Sequence, residues 1–244
     1  MSGPPPAAPA LQVTGLRAGY GDVTVIDGLD LTVMPGEVAV IIGPNGHGKT
    51  TLLRAVSGLL RPSAGQVVLA GRPVTGRPAE YLAVAGLVHV PQGDGLFPEM
   101  TVEENLLMGA FPAATWRGRR RELGRVYEMF PVVAERRGQQ ARTLSGGERR
   151  LVALGRGLMR PSDLMLIDEP SLGLAPVAID AVYQAIAGLK ASGATIVLVE
   201  ENFTHVGGVA DAVHVVEMGT IVASGSYSDL SRDAAIVETY LGSL

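Results

Sequence analysis

Five apolar residues, "VAVII" (38 to 42), run straight into "GPNGHGKT" (43 to 50) and then into "TLLRAVSGLL" (51 to 60). An unbroken apolar run is the pattern of a strand buried on both faces, and the segment after the glycines has helical spacing. The order is therefore strand, glycine loop, helix, which calls for a mainly parallel sheet with helices packed against it. The loop has Gly43, four residues with Gly46 among them, and then Gly48, Lys49 and Thr50. Glycines at this spacing let backbone N–H groups converge on phosphate oxygens at a helix N-terminus, whose dipole favours anions. Lys49 adds a point charge for outer phosphates, and Thr50 offers a hydroxyl to Mg²⁺, which prefers hard oxygen ligands. At the loop's variable position, His47 is expected to be exposed, with a phosphate contact as the alternative.

Alternation at Leu29, Leu31 and Val33 makes residues 11 to 33 strand-like up to a "MPGE" turn. Short strands follow at Gln66 to Ala70 and Leu87 to Val90, and residues 101 to 160 read as a helical insert with "TVEENLLMG" and "LGRVYEMF" as segments. β signals return at "LMLI" (164 to 167) and "TIVLV" (195 to 199), on either side of a helix near 176 to 191. Right-handed crossovers then join parallel strands. "VHVVEMGTIVASG" (213 to 225) reads as a closing hairpin and "AAIVETYL" as a terminal helix, and no internal repeat is present. The start "MSGPPPAAPA" lacks the basic flank and apolar stretch of a secretory signal and reads as a disordered tail over residues 1–10. The expected domain thus spans 11–244, with the helical insert at about 93–160.

Two apolar runs end in adjacent acids: "LMLIDEP" in Asp168 and Glu169, and "TIVLVEEN" in Glu200 and Glu201. The carboxyl ends of parallel strands form the crevice where ligands bind. There Asp168 can hold Mg²⁺ directly or through water, and Glu169 can accept a proton from an attacking water. "TLSGGERR" (143 to 150) is a capping box, Ser145 capping a helix start and Glu148 reaching back, and two bare glycines leave amides open to an approaching anion.

With Tyr20, "GPNGHGKT", Gln92 in "VPQGDGLF", "LSGGE", "LMLIDEP" and "SLGLAP" in this order, residues 11 to 244 resemble the ATP-binding subunit of an ATP-binding-cassette (ABC) transporter. "PEMTVEENLLMGA", "DEPSLGLAP" and "ETYLG" resemble the ATPases of branched-chain amino-acid importers within that family. The resemblance implies an α/β P-loop NTPase core with an N-terminal antiparallel β-subdomain and an inserted helical subdomain. It implies that ATP lies against Tyr20 and the loop Gly43, Pro44, Asn45, Gly46, His47, Gly48, Lys49, Thr50 and Thr51. Mg²⁺ would be held by Thr50, Gln92 and Asp168. Lys49, Gln92 and Glu169 would be catalytic, and Ser145, Gly146, Gly147 and Glu148 would cover ATP bound to a second ATPase subunit. Gln92 would report nucleotide state to "GDGLFPEM", where Leu96 and Phe97 are either contacts for a membrane partner or part of the core.

The implied partners are two membrane permease subunits, a second ABC ATPase subunit and, indirectly, an external solute-binding protein, with the chain peripheral at the cytoplasmic face of the plasma (inner) membrane. The position usually held by a phosphate-contacting histidine carries Glu201, and the subgroup often has glutamine there. An ionised carboxylate facing phosphate is repelled, so Glu201 turns away, is protonated, or marks a weakened site paired with a complete one. The last is preferred, which makes a heterodimer the expected arrangement; His205 lies too far along the chain to substitute.

Other classes are bounded by composition. A net charge of −4 gives no electrostatic reason for a nucleic-acid partner, so the arginines at 117, 119, 120, 121 and 125 read as a solvated helix face, with lipid headgroups as an alternative. No cysteine is present, which removes disulfides and thiolate metal sites, and no apolar run approaches the roughly 18 to 20 residues needed to cross a bilayer. A soluble ABC ATPase that drives assembly stays open beside the importer. A nucleotide-binding module without turnover is disfavoured by Glu169. Cargo selection belongs to other subunits, and urea, amides or other amino acids compete with branched-chain amino acids.

Overall fold

The structure is a computed structural model that describes residues 8–111, 113–201, 203–233 and 236. Its elements are β1 (Leu11–Tyr20), β2 (Val23–Val33), β3 (Val38–Ile42), α1 (Lys49–Val56), β4 (Ala64–Leu69), β5 (Arg72–Pro73), α2 (Ala79–Val84) and β6 (Leu87–Val90). Then come α3 (Val102–Leu107), α4 (Ala113–Trp116), α5 (Arg119–Met129), α6 (Pro131–Glu135), α7 (Gly146–Leu158), β7 (Leu164–Asp168), α8 (Pro176–Ala191), β8 (Ile196–Glu200), β9 (Ala212–Glu217), β10 (Thr220–Gly225) and α9 (Tyr227–Leu230).

Two sheets result, an antiparallel one in the order β2-β1-β4-β5 and a six-stranded one in the order β10-β9-β3-β8-β7-β6. The larger is parallel except for β10, which turns back on β9 through Met218 and Gly219, both at positive φ as a two-residue hairpin requires. The fold is thus α/β, with the central sheet mostly parallel and the N-terminal sheet antiparallel.

β3, β7 and β8 are buried along their whole length. Their alternate side chains enter two cores. Val38, Val40, Ile42, Met165, Ile167, Ile196 and Leu198 pack toward α3, α5, α7 and α8, whereas Ala39, Ile41, Leu164, Leu166, Val197 and Val199 pack toward α1 and the N-terminal sheet. Continuous apolar runs are needed because both faces are covered.

Helix ends follow local chemistry. Thr101 with Glu104, and Ser145 with Glu148, form capping boxes on α3 and α7. α1 stops at Val56, short of the apolar run that continues to Leu60. Gly58 is left-handed there, and the N–H groups of Gly58 and Leu59 return to the carbonyls of Ala55 and Arg54. Of the expected tail, residues 1–7 lie outside the described residues, while Ala10 is buried, its N–H donating to Val33 and its carbonyl accepting from Ala70. The terminal helix expected through "AAIVETYL" also falls mainly outside the described residues. Among those described, no helix is long and apolar enough to cross a membrane.

Candidate functional site

Backbone sterics shape the loop between β3 and α1. Gly48 takes φ 101°, and a Cβ there would sit 2.7 Å from the Ile26 Cδ1 atom. A Cβ on Gly43 would collide with the carbonyl of Val216. Only glycine lets the loop lie this close to the sheet. His47 is half-buried rather than exposed. Its Nδ1 accepts from the Met218 N–H at 3.4 Å and its carbonyl from Gly219 at 3.1 Å, so the β9–β10 turn braces the loop.

Lys49 is only 3% exposed. Its Nζ donates to the carbonyls of Gly43 (2.7 Å) and Pro44 (3.0 Å) and lies 3.6 Å from Glu169. Thr50 donates to Asp168 at 3.2 Å, and the Gln92 amide donates to Glu169 at 2.9 Å. Burial, ahead of every other influence, pushes the Asp168 carboxyl up to about 6. Glu169 adopts φ 43°, rare for a residue with a side chain, and its N–H returns to Val199 at 2.9 Å. A cavity of about 200 Å³ is lined by Asn45, Gly46, Gly48, Lys49, Thr50, Thr51, Gln92 and Glu169. A larger one of about 290 Å³, between Arg125, Arg160 and Leu189, includes none of the motif residues.

The remaining motif residues lie outside that cavity's lining. Tyr20 is half-exposed, its hydroxyl accepting from Arg54 at 3.2 Å. Ser145 accepts from the Glu148 N–H at 3.3 Å, and Arg136 reaches the Glu148 carboxylate at 3.2 Å. Gly146 and Gly147 lie against Leu174 and Ala178, where a Cβ on Gly147 would come within 2.6 Å of the Ala178 Cβ. After Gln92, Leu96 packs on the core and Phe97 stays exposed. Asn105, fully buried, holds this segment through Phe97, Met100 and Thr101.

The second acid pair divides. Glu200 is part of β8, 2% exposed, and its carboxylate accepts from the Ser171 N–H (3.1 Å), the Ser171 hydroxyl (2.9 Å) and the Tyr183 hydroxyl (2.9 Å). Glu201 is exposed, and His205 lies against the Tyr183 ring at 5.7 Å. Sequence reasoning missed the Ser171–Glu200–Tyr183 cluster. In the arginine segment it also missed Glu122, which is buried and accepts from Arg121 and Arg125, while Arg119 stacks over Trp116 at 4.3 Å. Arg150, which donates to the carbonyls of Pro91, Gly93 and Glu169, was missed as well.

A family model described as ABC transporter matches residues 26–172. The chain is 36% identical over 223 residues to the high-affinity branched-chain amino acid transport ATP-binding protein BraG of Pseudomonas aeruginosa, covering 91% of this chain and 95% of BraG. It is 30% identical over 250 residues to LivG of Escherichia coli, a protein of the same description, covering 96% and 98% respectively. The Nod factor export ATP-binding protein I of Ralstonia nicotianae is 36% identical over 228 residues, which span 92% of this chain and 69% of that protein. A solved ATP-binding cassette of an ABC transporter superposes with TM-score 0.85 at 28% identity, covering 96% of this chain and all of the other.

Proposed function

The chain belongs to the ABC transporter family as an ATP-binding, ATP-hydrolysing subunit, and from that premise we propose that it powers uptake of branched-chain amino acids from the cytoplasmic face of the inner membrane. The observation that carries the cargo is near full-length similarity to BraG and LivG, whose own lengths are covered almost completely, whereas the Nod factor exporter subunit is covered over 69%. In this reading two permease subunits and a second ATPase subunit complete the machine, with an external binding protein delivering the solute.

ATP phosphates lie in the Gly43–Thr51 loop, where Lys49 already stands beside Glu169. The donor set fits Mg²⁺: Thr50 and Asp168 bring oxygens together at 3.2 Å, and Gln92, which lines the same cavity as Thr50, carries an amide oxygen that would complete the set. When bound, Mg²⁺ supplies positive charge to the terminal phosphates. Lys49 offsets negative charge developing on the γ-phosphoryl, and Gln92 orients both the Glu169 carboxylate and the water. That water attacks in line while Glu169 accepts its proton. Ser145, exposed at the helix start, with Gly146, Gly147 and Glu148 behind it, forms the surface that covers ATP on the second ATPase subunit. Glu201, exposed where a phosphate-contacting group is usual, supports a site of reduced activity and a dissimilar partner.

The test is to tag the Glu169→Gln variant, extract it from native membranes with ATP and Mg²⁺, and identify what accompanies it. Two multi-span proteins and a second cassette ATPase are expected, and leucine uptake should be lost in cells lacking the chain. Soluble partners alone, or only further copies of this chain, would contradict the importer.

A further inference from the structure

Arg150 is a cation buried to 4% exposure, and among the described residues no carboxylate forms an ion pair with it. Such a charge persists only where backbone carbonyls or more distant acids satisfy it. Both are present. One guanidinium nitrogen donates to the carbonyls of Pro91 and Gly93, the residues on either side of Gln92. The other donates to the carbonyl of Glu169 at 3.3 Å. Burial lowers the pKa of the guanidinium from the usual arginine range, and the surrounding charges of Asp94, Glu200, Asp168 and Glu169 oppose that shift.

We propose that Arg150 is a positioning residue for Glu169, one rigid fork on α7 that fixes the Gln92 segment and the left-handed Glu169 turn relative to each other. Glu169 then has both backbone groups held, its N–H by Val199 and its carbonyl by Arg150, at a backbone angle that is unfavourable unless its surroundings enforce it. With the backbone fixed, the side chain meets the Gln92 amide at 2.9 Å and Lys49 at 3.6 Å. The same helix holds the rest of the segment: Arg149 bonds Asp94 at 2.7 Å, and Arg156 bonds the carbonyls of Gly95 and Asp94 at 2.8 and 3.1 Å. α7 begins at the Ser145–Glu148 capping box, so a shift of that surface against a partner's ATP moves Arg150 and is felt at Glu169. A lysine brings the charge on a single nitrogen, whereas Arg150 uses two separate ones, so a lysine should not bridge the Pro91 and Gly93 carbonyls to that of Glu169.

The proposal rests on Glu169 as the proton acceptor, and the experiment separates the two. Single-turnover hydrolysis of ATP with Mg²⁺ in the assembled transporter with the second ATPase subunit's own site silenced, and the dissociation constant for MgADP and the thermal midpoint of the full chain, are measured for Arg150→Gln, Arg150→Lys, Glu169→Gln and the Arg150→Gln/Glu169→Gln double variant. Both Arg150 variants should hydrolyse at least about tenfold more slowly while binding MgADP within about threefold of the native chain, and the double variant should be within about twofold of Glu169→Gln alone. If Arg150→Gln does not fold, Arg150→Lys and an Arg150→Lys/Glu169→Gln double variant carry the comparison. A native rate in Arg150→Lys, or a full additional loss in the double variant, overturns the positioning role. A native rate in Glu169→Gln overturns the reading of Glu169 itself.

Discussion

Two neighbouring parallel strands, β7 and β8, each end in a pair of acids, and the pairs meet different fates. Asp168 stands in register with Val199, one residue short of Glu200, so the pairs lie almost side by side at the same sheet edge. On β7, Asp168 meets Thr50 and Glu169 meets Lys49 and Gln92. On β8, Glu200 is enclosed by hydroxyl and amide donors from Ser171 and Tyr183, and Glu201 stands in solvent. A carboxylate's role is therefore set by what the neighbouring elements bring to it. In the proposed reading, a cation and a side-chain amide beside an open cavity make a reactive group, whereas three neutral donors make a structural anchor.

The comparison breaks most easily at Glu169. Glu169→Gln should lower turnover at this chain's own site by about two to three orders of magnitude with nucleotide binding retained, because an amide cannot accept the proton; single-turnover rates with the second subunit's site silenced and MgADP titration check both halves. The counterpart on β8 should fail differently. Glu200→Ala leaves the Ser171 N–H and hydroxyl and the buried Tyr183 hydroxyl without an acceptor, so it should cost about 2 to 3 kcal/mol of stability, read by chemical denaturation.

A third test uses pH. Burial raises both Asp168, to about 6, and Glu200. A raised carboxyl favours the folded state while protonated, so its contribution is present below the ordinary carboxylate range and is lost as pH rises through the folded value. Asp168→Asn should therefore remove part of the native chain's stability loss between pH 4 and 6, up to about 2 kcal/mol, measured without nucleotide. The smallest expected change is at Glu201. Glu201→His in the assembled transporter should raise ATP turnover by about two- to fivefold, since a neutral donor replaces a repelling charge. An unchanged rate removes the weakened-site reading.

These differences mark what the sequence could reveal. The phosphate loop was legible because its glycine spacing and its strand and helix flanks are contiguous, and β3, β7 and β8 because residues buried on both faces must be continuously apolar. The β9–β10 hairpin was legible from two strand-like runs around Met218 and Gly219. Asp168 and Glu169 acquired meaning only through the loop that precedes them. Glu200 looked equivalent to them, since nothing local in "TIVLVEEN" states that Ser171 and Tyr183 converge on it. Arg150 was hidden for the same reason: its partners are carbonyls of Pro91, Gly93 and Glu169, which carry no side-chain signature. β5 and α2 were too short to show a period, and His47 was misjudged because the turn that covers it lies 171 residues further on.

The most direct test of this division of labour is the single-turnover rate of Glu169→Gln beside Glu200→Gln in the assembled transporter with the second ATPase subunit's own site silenced, so that only this chain's site is read, at saturating ATP and Mg²⁺. The account predicts a loss of at least about 100-fold for the first and of no more than about fivefold for the second, which should instead show a lower thermal midpoint. Equal losses, or a larger loss in Glu200→Gln, would contradict it.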